Sequence, residues 1–144
     1  MVEVAVSFDY HGYRISKKTI KRIIVFVCAK EGVSKGRFSC VFVDDASIKK
    51  INTAFLGHRF STDVITFLIE TRPSLEAEIY INLKQARRQA HTYRVSVKNE
   101  LTRLLVHGVL HALGYDDKRT KQRIKMFQIQ EKYVECCTRG VPGI

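Results

Sequence analysis

Nothing in this sequence approaches the run of about 20 apolar residues that a membrane span needs. The first residues, Met1-Val2-Glu3-Val4-Ala5-Val6, alternate and include an acid, so they lack the basic-then-apolar form of a signal peptide. The chain is therefore expected to stay in the cytoplasm, away from membranes. Cysteine is sparse and unpatterned: Cys28, Cys40, Cys136 and Cys137 form no CxxC spacing, which excludes a zinc knuckle or a dithiol redox motif. Cys28 and Cys40 sit in apolar stretches and read as core residues, and the vicinal Cys136-Cys137 pair as incidental thiols. No internal repeat, linker or low-complexity tract divides the 144 residues, so residues 1–144 are expected to form one domain.

Acid is also in short supply. Lys and Arg number 25 against 14 Asp and Glu, a formal net charge of +11. Such an excess on a small domain favours a polyanionic partner, most simply nucleic acid. The basic clusters at Lys17-Lys18, Lys21-Arg22, Arg87-Arg88 and from Lys118 to Lys125 are helix-face charges by default, and only some of them can line a groove.

What is present is an apolar fraction of 45%, ordinary for a globular protein, arranged in two periods. Val2, Val4, Val6 and Phe8 alternate as in a half-buried strand. Ser16 caps a helix with Ile20, Ile23, Ile24 and Val27 on one face. Phe38 to Val43 is a second strand, and Asp44 or Asp45 opens a short helix with Ile48, Ile51 and Phe55 on one face. The nearly continuous apolar run Val64–Ile69 suits an interior strand. Ile79-Tyr80-Ile81 gives a fourth strand, and Asn82 caps a helix with Leu83, Ala86 and Ala90. A helix from about Val97 to Leu113 and another from about Thr120 to Cys137, with Met126, Ile129 and Tyr133 inward, complete the chain. This order predicts an α+β fold, a small four-stranded mixed sheet packed with about five helices. The helix from Val97 is expected at the centre, because its faces are nearly all apolar.

That central helix carries the most informative segment, His107-Gly108-Val109-Leu110-His111-Ala112-Leu113-Gly114-Tyr115-Asp116-Asp117. Two histidines four apart present their rings on one helix face, about 5.4 Å apart in rise, a spacing suited to one metal ion. Gly114 follows where a residue of positive φ ends a helix, so the chain can return a third ligand from Asp116 or Asp117. Three protein ligands leave zinc a fourth position open, the layout of a catalytic site. Glu100, seven residues before His107, lies on nearly the same face; a buried carboxylate supporting the ligands is one reading, and a favourable first-turn acid is the preferred one.

This segment resembles the motif H-G-x-L-H-L-x-G-Y-D-H of the YbeY-type endoribonucleases, bacterial rRNA maturation factors; the chain departs from it at Ala112 and Asp117. Ile51-Asn52 through Thr62-Asp63-Val64-Ile65-Thr66-Phe67 is similar to a second family segment, L-N-x-x-Y-R-x-x-D-x-P-T-D-V-L-S-F. Ala77-Glu78-Ile79-Tyr80-Ile81 is similar to a third, G-D-I-x-I. The resemblance implies a zinc-dependent hydrolase of single-stranded RNA, acting in 3′-end processing of small-subunit ribosomal RNA and in ribosome quality control. It implies one zinc per chain, with His107, His111 and Asp117 as its ligands, and ribosomal RNA or the small subunit as partner. Leu56 stands where the family has a phosphate-binding Arg, and Arg59, three residues on, is the candidate replacement. Asp116 is the candidate for orienting a ligand or capping the helix end.

The spacing of the histidines and Gly114 also fits metzincin peptidases. Those place a general-base Glu directly after the first His, where this chain has Gly108. Phosphodiester hydrolysis relies more on the metal itself, and the basic excess suits a phosphate-rich substrate. RNA hydrolysis is therefore the first expectation, a zinc peptidase the second. A non-catalytic ribosome-assembly factor with a structural metal is the third.

Overall fold

Alternation along Val2–Phe8 does produce a strand, β1, and the elements follow in the expected order. They are α1 (Lys17–Lys30), β2 (Gly36–Val43), α2 (Asp45–Leu56), β3 (Val64–Glu70), β4 (Leu75–Asn82), α3 (Leu83–Tyr93), α4 (Val97–Ala112) and α5 (Thr120–Thr138). The computed structural model describes residues 1–139. Side-chain caps fix four helix starts: Ser16 accepts from Thr19 N, Asp44 from Ser47 N, Asn82 from Lys84 N and Gln85 N, and Ser96 from Asn99 N. None of these helices is long and apolar enough to cross a membrane.

The four strands form one mixed sheet in the order β1-β2-β4-β3. β1 pairs parallel with β2, and β2 parallel with β4; β3 runs antiparallel to β4. Phe38, Cys40 and Phe42 of β2 join Ile79 and Ile81 of β4 in the main core, under α1 and α4. Val43 and Ile65 point to the opposite face and pack with Ile48 of α2. The α+β expectation is met, and α4 is central: it contacts α1, α3, α5, β3 and β4.

One reading needs correction, and two gain detail from the packing. The run Val64–Ile69 is an edge strand, not an interior one: only Ile65 is buried, and Leu68 and Ile69 are about half exposed. The parallel pairing of β2 with β4 occupies the sheet's centre, so β3 takes the free side of β4, and an apolar run does not report how many neighbours a strand has. Phe55 is 73% exposed, its ring meeting Phe67 edge-on, because α2 covers only the short second core. Glu100 is the acid of the first turn of α4 and is also fully buried, accepting from Arg103 Nη1 at 2.9 Å and Gln89 Nε2 at 2.7 Å, because this helix start is clamped between α3 and α5.

Candidate metal centre

The central position of α4 sets the site. Gly108 rests on the sheet: a Cβ there would meet Ile79 Cγ2 at 2.9 Å and Thr66 Oγ1 at 3.1 Å. Thr66 Oγ1 also donates to the Gly108 carbonyl at 3.1 Å. With Gly108 inward, His107 and His111 fall on the adjoining, half-exposed face. Gly114 takes φ of 102°, and Tyr115 N bonds back to Leu110 O at 3.0 Å, which ends the helix and turns the chain. Asp116 Oδ1 accepts from Lys118 N at 3.0 Å and tightens the return loop, which delivers Asp117 to the histidines.

The geometry is tight. His107 Nε2 and His111 Nε2 are 3.0 Å apart, and Asp117 Oδ2 lies 3.6 Å from the first and 3.3 Å from the second. The three side chains offer one ligand atom each within 4.8 Å of one another, the only such group among the described residues. The outer ring nitrogens are engaged: His107 Nδ1 with Gln130 Oε1 at 2.7 Å, His111 Nδ1 with Tyr115 O at 3.1 Å. A carbonyl only accepts, so His111 Nδ1 carries its proton. Gln130 Nε2 donates to Glu131 Oε2 at 3.2 Å, which turns the amide oxygen toward His107 and fixes the same tautomer there. Both Nε2 atoms then present lone pairs to each other and to a carboxylate. Three acceptors meet without a donor, an arrangement that a cation satisfies. Burial holds the His107 pKa below the ordinary histidine value, the Gln130 hydrogen bond opposing it.

The triad opens into a cavity of about 690 Å³. Its walls include Phe60, Thr62, Asp63 and Leu68 from the loop and strand before and within β3, and Lys118 beside Asp117. A smaller recess of about 170 Å³ joins His107 and Asp117 to Arg123 of α5. The structure thus brings together His107, His111 and Asp117, with Asp116 shaping their loop. Arg59 is exposed on the loop between α2 and β3, whose neighbours His58 and Phe60 line the cavity. Asn52, buried, anchors this loop by donating from Nδ2 to Phe60 O at 2.9 Å.

Sequence reasoning passed over Gln130. Its signal was its place between Met126 and Val134 at four-residue intervals, a lone amide in an apolar stripe. The tie of Tyr115 and Tyr133 to Glu31 was also missed, and no local pattern marks it.

Comparison with known proteins identifies the family. A family profile described as Endoribonuclease YbeY matches residues 9–137. A protein of that name from Chloroherpeton thalassium is 33% identical over 120 residues, covering 83% of this chain and 85% of its own. Another from Porphyromonas gingivalis is 34% identical over 119 residues, covering 83% and 79%. The solution structure of TM1509 from Thermotoga maritima superposes with a TM-score of 0.69 at 25% identity, covering 97% of this chain and 94% of that one. The match over most of the chain and the shared fold lead to one conclusion: the chain belongs to the YbeY endoribonuclease family.

Proposed function

We infer that this protein is a zinc-dependent endoribonuclease that cleaves single-stranded RNA, its substrate being small-subunit ribosomal RNA during 3′-end maturation in the cytoplasm. The observation that carries the reading is the convergence of three acceptor atoms, without a donor, in an open cavity of a chain with net charge +11. His107, His111 and Asp117 hold the metal, their donor set being one that zinc favours. Bound zinc supplies Lewis-acid stabilisation of negative charge on phosphate oxygens and makes water available as a nucleophile near neutral pH.

The chain's own residues do the rest. Gln130 and the Tyr115 carbonyl hold both imidazoles in the ligating tautomer. Lys118 and Arg123, which line the cavities beside the triad, supply positive charge for the phosphates of the bound strand. Arg59 contacts the strand further out, from the loop whose Phe60 lines the cavity. Asp116 is a positioning residue: it holds the turn that presents Asp117. Gly108 weighs against a peptidase, because the place of the proteolytic base is packed against Ile79 and Thr66, with no room for a side chain.

The test is elemental analysis joined to RNA cleavage. Purified protein should hold close to one zinc per chain and cut single-stranded RNA, with both properties lost in His111→Ala. RNA affinity should fall with salt, each phosphate contact adding about 0.7 to the slope of log affinity on log salt. Cleavage of peptides but not RNA, or RNA binding without metal-dependent cleavage, overturns the reading.

A further inference from the structure

A second cavity, of about 460 Å³, lies between α3, α4 and α5 and shares His107 and Asp63 with the cavity of the triad. Its size is that of a site for a small organic group. Tyr93, at the end of α3, and Phe127, on α5, line it, and they are 62% and 57% exposed. Most of its polar lining is paired internally: Arg103 donates to Glu131 through Nε and Nη2 and to Glu100 through Nη1, and Gln89 donates to Glu100.

Charge decides what such a cavity accepts. Three carboxylates (Asp63, Glu100 and Glu131) line it against one guanidinium, that of Arg103, which is held by the two glutamates. On a strongly basic chain this is a locally acidic recess, which repels phosphate. It suits a flat, uncharged group that stacks on aromatic rings and carries an N–H donor for Glu131, whose Oε1 accepts, among the described residues, only from Arg103 Nη2. A nucleobase has that chemistry; a sugar-phosphate backbone does not.

We propose that this cavity is a base-binding subsite, in which one unstacked nucleobase of the RNA strand packs against Tyr93 and Phe127 while its phosphates stay with the cations beside the triad. The proposal rests on the RNA reading above. It gives the preference for single strands a physical cause, since a base held in a duplex cannot enter a recess beside His107. It also gives the two aromatic side chains a role that their exposure leaves open.

Fluorescence anisotropy with a short fluorescein-labelled oligoribonucleotide, and with the same strand carrying abasic riboses, tests it, read while a gel shows the strand intact. Wild type should bind the intact strand more tightly than the abasic one. Phe127→Ala and Tyr93→Ala should each weaken the intact strand roughly tenfold, leave abasic binding unchanged and leave the salt slope unchanged. Tyr93→Phe should retain wild-type affinity. Both residues are exposed, and unaltered thermal melting of the variants will show that the fold is kept. If wild type binds RNA but the alanine variants discriminate between the two strands as well as wild type does, the subsite is overturned and the RNA reading stands. If wild type binds neither strand, both fall.

Discussion

The hydroxyl of Tyr115 donates to Glu31 Oε1 at 2.7 Å, and the same tyrosine's carbonyl accepts from His111 Nδ1 at 3.1 Å. Tyr133 of α5 donates to the other oxygen of Glu31. One carboxylate at the end of α1 therefore fastens both the return loop and α5 behind the histidine pair. Glu31 raises the Tyr115 pKa above the usual phenol value by accepting its hydrogen bond, and burial followed by the Glu31 bond raises Tyr133. A raised folded-state pKa adds stability that is complete below the unfolded phenol value near 10 and is lost as pH climbs through the folded one. Glu31→Gln should therefore lower the urea midpoint at neutral pH and narrow the gap from wild type above pH 10, measured by denaturation across that range.

Gln130 fixes the other histidine. Gln130→Leu keeps an apolar fit beside Met126 and Val134 but leaves His107 Nδ1 without its acceptor. Loss of such an outer partner weakens metal affinity by about 10–100-fold. Competition with a chelating dye should show that loss with little change in thermal midpoint, whereas a purely structural role would lower stability and spare affinity.

Asp117 is one of two positions, with Ala112, where the chain departs from the family's histidine motif. Carboxylate oxygen binds zinc at about 2.0–2.2 Å, near the imidazole distance, so Asp is an acceptable third ligand. Asp117→Ala should reduce zinc affinity and Asp117→His should retain it, both read by the same competition. Equal affinity in wild type and Asp117→Ala would remove Asp117 from the ligand set.

Gly108 is fixed by packing. Alanine there gains about 1 kcal/mol of helix propensity, yet its Cβ meets fully buried Ile79 at 2.9 Å, and overpacking of that kind costs about 1–3 kcal/mol. Gly108→Ala should come out destabilised in urea, and Gly108→Glu more so.

Asp45 accepts from both terminal nitrogens of Arg88, at 2.6 and 3.1 Å, and from Asn82 Nδ2 at 2.8 Å. The Arg88 hydrogen bond is the main cause of a pKa lowered to about 2, partly opposed by burial. A depressed carboxyl contributes stability above its unfolded value near 4 and loses it as pH falls through 2. The pair is half exposed, so solvent screens it and the effect is small. Asp45→Asn should flatten the pH dependence of the denaturation midpoint between pH 4 and pH 2.

Local relationships were legible in the residues themselves. The one-face placement of His107 and His111 follows from helix geometry, the stop after α4 from the positive φ open to Gly114, and the helix starts from Ser16, Asn82 and a following apolar period. The same locality explains the α+β class, since strand and helix periods are properties of short segments. Tertiary structure decided whatever depends on which surfaces meet. It sent Val64–Ile69 to the sheet edge, because β2 and β4 paired in the centre. It buried Glu100 with Arg103 and Gln89, brought Gln130 from α5 to His107, and set Gly108 against Ile79. Sequence spacing sets periodicity along one element, whereas the partner of a buried polar group comes from another element, tens of residues away, and only packing selects it.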